Sequence, residues 1–117
     1  SEASLLSSAV RADETEAYKD AEGLFRSYMA QQPEDIEASF YYAILQLGKG
    51  NASVALPILK EVAEAPPREG YERAAYWYLG LAYLKMNDAE SARAYFLQLK
   101  DGKDRFAKDA KDVLADM

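Results

Sequence analysis

The feature that most constrains this chain is an internal repeat. Three segments, AYKDAEGLFRSYMAQQP at 17–33, NASVALPILKEVAEAPP at 51–67 and DAESARAYFLQLKDGKD at 88–104, align so that Ala21, Ala55 and Ala92 coincide. Four residues later stand Phe25, Leu59 and Phe96, and three beyond those come Tyr28, Val62 and Leu99. The first two segments also end together, at Pro33 and Pro67. The alanines are 34 and 37 residues apart. A period of this size predicts stacked units that bury their apolar faces only against neighbours.

Each segment follows a second helix-like stretch. The clearest is ERAAYWYLGLAYLKMND, in which Tyr76, Leu79, Gly80 and Tyr83 precede Ala92 and Phe96. An aromatic residue, Leu-Gly, Tyr, Ala and Phe in this order resemble the tetratricopeptide repeat (TPR). The same positions read Ser39, Tyr42, Ala43, Gln46, Ala55, Leu59 and Pro67 in the middle repeat, and Leu5, Ser8, Ala9, Ala12, Ala21, Phe25 and Pro33 in the first. The third repeat departs from the pattern in having Asp104 where the motif has proline. The resemblance implies one all-α domain over 1–117: a right-handed solenoid of helical hairpins, with about three repeats at roughly 2–35, 36–72 and 73–104 and a capping helix at 105–117. Gly80, Ala43, Ala55 and Ala92 are expected where two helices approach too closely for a larger side chain.

Periodicity and punctuation place helices at about 3–13, 17–31, 36–48, 52–64, 71–86, 89–100 and 105–116. Asn51, Asp88 and Asp104 are expected N-caps, with Gly48, Gly50 and Gly102 as stops. The run APPREGYE at 65–72 absorbs the three extra residues of the second step. Pro57, beyond the first turn after Asn51, predicts a kink or a delayed start. In the last helix Phe106, Ala110, Val113, Leu114 and Met117 form an apolar stripe.

Composition narrows the function. The chain has neither Cys nor His, which removes thiolate nucleophiles, the usual zinc ligands and the commonest general base. There is no phosphate-binding glycine loop either, so neither an enzyme nor a cofactor or metal site is expected. An enzyme working through carboxylates alone is the class alternative, but no paired acids stand out. A net charge of −6 with scattered Lys19, Arg26, Lys49, Lys60, Arg73 and Lys85 argues against nucleic acid. No apolar run is long enough to cross a bilayer, and SEASLLSSAV lacks the basic flank of a signal peptide. The runs ASFYYAILQLGKGNASVALPILKEVAEAP, ERAAYWYLGLAYLKMNDAESARAYFLQL and RFAKDAKDVLADM resemble the TPR segment of bacterial proteins that carry it behind a single membrane-spanning helix. That resemblance, over roughly 17–117, implies an extracytoplasmic assembly or sensing platform, with any anchor outside this chain.

In a TPR stack the first helix of each repeat lines a groove that takes peptides or helices. The groove positions are Leu6 and Val10, then Glu37, Phe40, Ile44 and Leu47, then Ala74, Trp77, Leu81 and Leu84. A protein or peptide partner is the expected occupant, with Phe40 and Trp77 as anchors; a second copy of the chain, or a terminal segment of the chain itself folding into the hollow, is the alternative. The competing expectation is that the same stripes are simply core. A carboxylate clamp of Lys, Arg and Asn is absent from these positions, which disfavours chaperone-tail binding. Tyr42, Tyr76 and Tyr83 read as packing residues, whereas Tyr41, Tyr71 and Tyr78 are less constrained. LKDGKDRFAKD at 99–109 lacks the ligand alternation of a calcium loop. The acidic cluster Glu2, Asp13, Glu14, Glu16, Asp20 and Glu22 reads as a solvated face.

Overall fold

The computed structural model describes residues 18–65 and 70–117, with side chains from Glu22 onward. The expected helix over 3–13, the groove positions Leu6 and Val10, and the centre of the 65–72 break lie outside the described residues. So do the side chains of the acidic cluster, Glu22 excepted.

The described residues form six α-helices and no strand: α1 (Tyr18–Gln31), α2 (Ile36–Gly48), α3 (Ala52–Glu64), α4 (Glu72–Lys85), α5 (Ala89–Leu99) and α6 (Arg105–Ala115). Each packs against the next in sequence, and α2 also meets α4 as α4 meets α6. This is a repeat-like stacking of adjacent helices.

The hairpins α2–α3 and α4–α5 repeat each other at the 37-residue offset read from the alanines. Gly50 and Asn87 occupy corresponding places, and both are left-handed, with φ of 88° and 61°. The amides of Asn51 and Asp88 donate to Gln46 and Tyr83 carbonyls at 2.8 and 2.9 Å, while those of Gly50 and Asn87 donate to Leu47 and Leu84 at 3.0 Å each. These paired bonds are the Schellman ending, which satisfies orphan carbonyls and needs Gly or Asn at the left-handed residue. Both first helices therefore stop in the same way and release the chain in the same direction.

Starts are set by aspartates. The carboxylates of Asp35, Asp88 and Asp104 accept from the amides of Ala38, Ser91 and Ala107 at 3.1, 3.1 and 3.0 Å, each satisfying an otherwise orphaned first-turn donor. Asn51 occupies the N-cap place of α3 without a side-chain cap bond; its amide group instead donates to the Gln46 side chain at 2.9 Å. Pro57 does not delay α3, which starts at Ala52 and runs unbroken to Glu64. The proline is exposed, so water can take up the helical bond its missing amide would have made.

Two apolar clusters fill the stack. The first joins α2, α3 and α4 through Phe40, Ala43, Leu47, Ala55, Leu59, Val62, Ala75 and Leu79. The second joins α4, α5 and α6 around Ala92, Phe96, Leu99 and Ala110, with the stripe of α6 lying against it. Polar ties hold the ends. Glu22 of α1 accepts from Gln46 at 3.1 Å and pairs with Arg26 and Lys49. Gln46 is the one buried polar residue among those described. Arg73 of α4 grips Asp104 in a fork, Nε to Oδ2 at 2.6 Å and Nη2 to Oδ1 at 2.9 Å, and also donates to the Leu99 carbonyl at 3.1 Å. The three bonds tie α4 to the turn between α5 and α6.

At Gly80 a Cβ would lie 2.4 Å from the Phe96 ring. Gly80→Leu is therefore expected to overpack this contact and cost about 1–3 kcal/mol. Urea denaturation read by far-ultraviolet circular dichroism checks it, and an unchanged midpoint would remove Gly80 from the close contact.

Arg73 beside Asp104 holds that carboxyl well below the usual carboxylate range. The lowered pKa favours the charged form in the folded state. The stabilisation is thus present above the unfolded Asp value of about 3.9 and is lost as pH falls through the folded value. Asp104→Asn keeps an N-cap acceptor but removes the charge. It is expected to lower stability at neutral pH and to flatten the acid limb of the stability–pH curve, measured as urea midpoints across the acid range.

Candidate interaction face

Among the described residues, α2 and α4 each carry a strip that stays partly open to solvent, although its Ile44, Ala74 and Tyr78 also pack against the first cluster and its Leu81 against the second. On α2 it comprises Glu37, Tyr41, Ile44 and Gly48; on α4, Ala74, Tyr78, Leu81 and Lys85. Both keep i, i+4, i+7 spacing, which lines one face of a helix. The second set corresponds to the first at the same 37-residue offset. Gly48 and Lys85 are exposed and the other six are half-buried.

Side chains join the strips. Phe40, 6% exposed, lies beneath three tyrosines: ring centroids are 5.7 Å to Tyr41, 5.3 Å to Tyr71 and 5.6 Å to Tyr78, the last edge-on at 74°. The Tyr71 hydroxyl, at the start of α4, donates to the Glu37 carboxylate at 3.0 Å. Burial, followed by this bond to an anion, pushes the Tyr71 phenol up to about 12. The tyrosine therefore stays a neutral donor, because losing its proton beside Glu37 would set two negative charges together.

Of the residues expected to line a groove, Glu37, Ile44, Ala74 and Leu81 lie on these strips. Phe40 and Leu47 instead turn into the first cluster and are buried. Trp77 and Leu84, like Leu81, are half-buried against the second cluster, with the Trp77 ring 5.4 Å from Phe96. Tyr41, Tyr71 and Tyr78 supply the aromatic surface that Phe40 does not. Their signal in the sequence is that, unlike Tyr42, Tyr76 and Tyr83, they stand outside the packing positions of the repeat.

The other side of α4 carries a different arrangement. Tyr76 and Tyr95 meet at 5.6 Å, Tyr83 stacks on Tyr95 at 5.9 Å, and the Lys60 ammonium stands 5.8 Å from the Tyr83 ring. Lys60, Glu64, Tyr76, Tyr95 and Gln98 help to line an open hollow of about 410 Å³. Burial raises the Tyr95 phenol, and Lys60 is held more firmly protonated by its contact with Tyr83. Among the described residues no three His, Cys, Asp or Glu side chains gather as metal ligands, and no helix is long and apolar enough to cross a membrane.

No protein-family model and no curated protein matches this chain.

Trp77→Ala is expected to cost about 3 kcal/mol through the cavity left against Phe96, whereas Leu81→Ser, which empties a smaller volume, should cost less. Thermal and urea melts of the two variants check this. Equal losses would place both residues in the core.

Proposed function

We propose that the chain is a TPR array that acts as a non-catalytic scaffold, holding a peptide or helix of a protein partner across α2 and α4. The TPR reading is supported by the motif residues acting together: Gly80 against Phe96, and Ala43, Ala55, Leu79 and Ala92 all fully buried. The observation that carries the binding reading is the pair of half-open strips. Glu37, Tyr41 and Ile44 on one helix run beside Ala74, Tyr78 and Leu81 on the next, and all are half-buried. A contiguous apolar and aromatic surface with a polar rim is what an interaction site needs. Tyrosine adds large rigid contact area at low entropic cost.

The test is site-specific crosslinking in the native cell. A photoreactive phenylalanine analogue at Leu81 should capture a partner protein, while the same analogue at exposed Glu61 on α3 should not. Equal capture at both positions would reject the face. An adduct of twice the chain mass in purified protein would replace the scaffold with a self-associating unit.

A further inference from the structure

We infer that the anchor taken by this face is a cationic side chain, an arginine or lysine of the partner, seated on Tyr41, Tyr71 and Tyr78 beside the Glu37 carboxylate. The inference rests on the interaction reading above and names the chemistry that the face selects.

The first observation is an unpaired charge. Some carboxylates of the described residues have cationic partners, Glu22 with Arg26 and Lys49, Asp104 with Arg73, Asp101 with Lys100 and Asp112 with Lys108, but no described Lys or Arg pairs with Glu37. Glu37 is half-buried, yet its recorded side-chain contact is the Tyr71 hydroxyl alone. Glu37 and Asp35 are the carboxylates that act on Tyr71.

The second observation is aromatic. Three half-buried tyrosines surround Phe40 at 5.3–5.7 Å, so each has one surface occupied by the core and some surface left to solvent. The outer face of an aromatic ring carries negative electrostatic potential and attracts a cation within about 6 Å, more strongly when water is excluded. A carboxylate next to such rings reinforces that preference.

Desolvation decides between ligand classes. Covering Glu37 with an apolar side chain would remove water from a carboxylate without replacing it by an ion pair, a cost that opposes docking. An acidic anchor would add repulsion to the same cost. A guanidinium can stack on a tyrosine ring while donating to Glu37, and an ammonium can do both as a point charge. Ile44, Ala74 and Leu81 further along the face then suit apolar residues of the same segment.

A random dodecapeptide library displayed on phage and selected on the immobilised chain provides the probe. Selected peptides should be enriched in Arg or Lys next to apolar residues. Their affinity should fall roughly fivefold or more on Glu37→Gln. That variant keeps an acceptor for Tyr71 and should melt as the parent does. Peptides with no basic enrichment, or binding untouched by Glu37→Gln but lost on Tyr78→Ala, would overturn the cationic anchor and leave the face standing. Failure to select any peptide, or binding indifferent to both variants, would overturn both.

Discussion

Close approach of α4 and α5 is the constraint from which the rest of the stack follows. It is possible because Gly80 has no side chain where the Phe96 ring lies, and a Cβ there would be 2.4 Å from ring carbon. The preceding hairpin solves the same problem with different volumes, placing Ala43 and Leu59 at the corresponding positions, both fully buried. A smaller residue on the first helix accepts a larger one on the second, so interhelix spacing is kept while the residues change. Once both hairpins have this spacing, α2, α4 and α6 become neighbours on one side, and the strips of α2 and α4 run next to each other.

Turn chemistry makes that geometry repeatable. Gly50 and Asn87 adopt the left-handed conformation that ends each first helix in the same hydrogen-bond pattern. The aspartate caps begin α2, α5 and α6, and two of them do more than cap. Asp35 also accepts from the Tyr28 hydroxyl, and Asp104 is gripped by Arg73. Local helix signals are thereby fastened to tertiary partners, so a helix end and a helix contact are secured by one side chain. Agreement between local and long-range demands of this kind favours a single packed arrangement.

Much of this was legible in the chain itself. Helix placement followed from periodicity and capping residues, and the observed α2, at Ile36–Gly48, and α3, at Ala52–Glu64, fall on the expected 36–48 and 52–64. Pro57 was the exception, because its effect depends on which side of the helix it occupies, and that is fixed by packing. Asn51 showed the same limit: its side chain serves the buried Gln46 rather than the start of α3. A cap preference describes one residue's local options, whereas a buried amide in need of a partner outweighs it.

The sequence by itself determined that the described chain is helical, where its hairpins turn and which small residues permit close contacts, because these depend on spacing along one chain. It could not divide the apolar residues between core and surface. Phe40 and Trp77 have the helical spacing of a lining stripe, yet Phe40 lies under three tyrosines and Trp77 leans on Phe96. A rotation of some tens of degrees about a helix axis separates a lining residue from a buried one, and that rotation is set by the volumes of the neighbours on both sides. Only the tertiary structure, by packing α3 and α5 against the flanks of α4, decided that Phe40 is buried while Tyr41, Trp77 and Tyr78 keep part of their surface open.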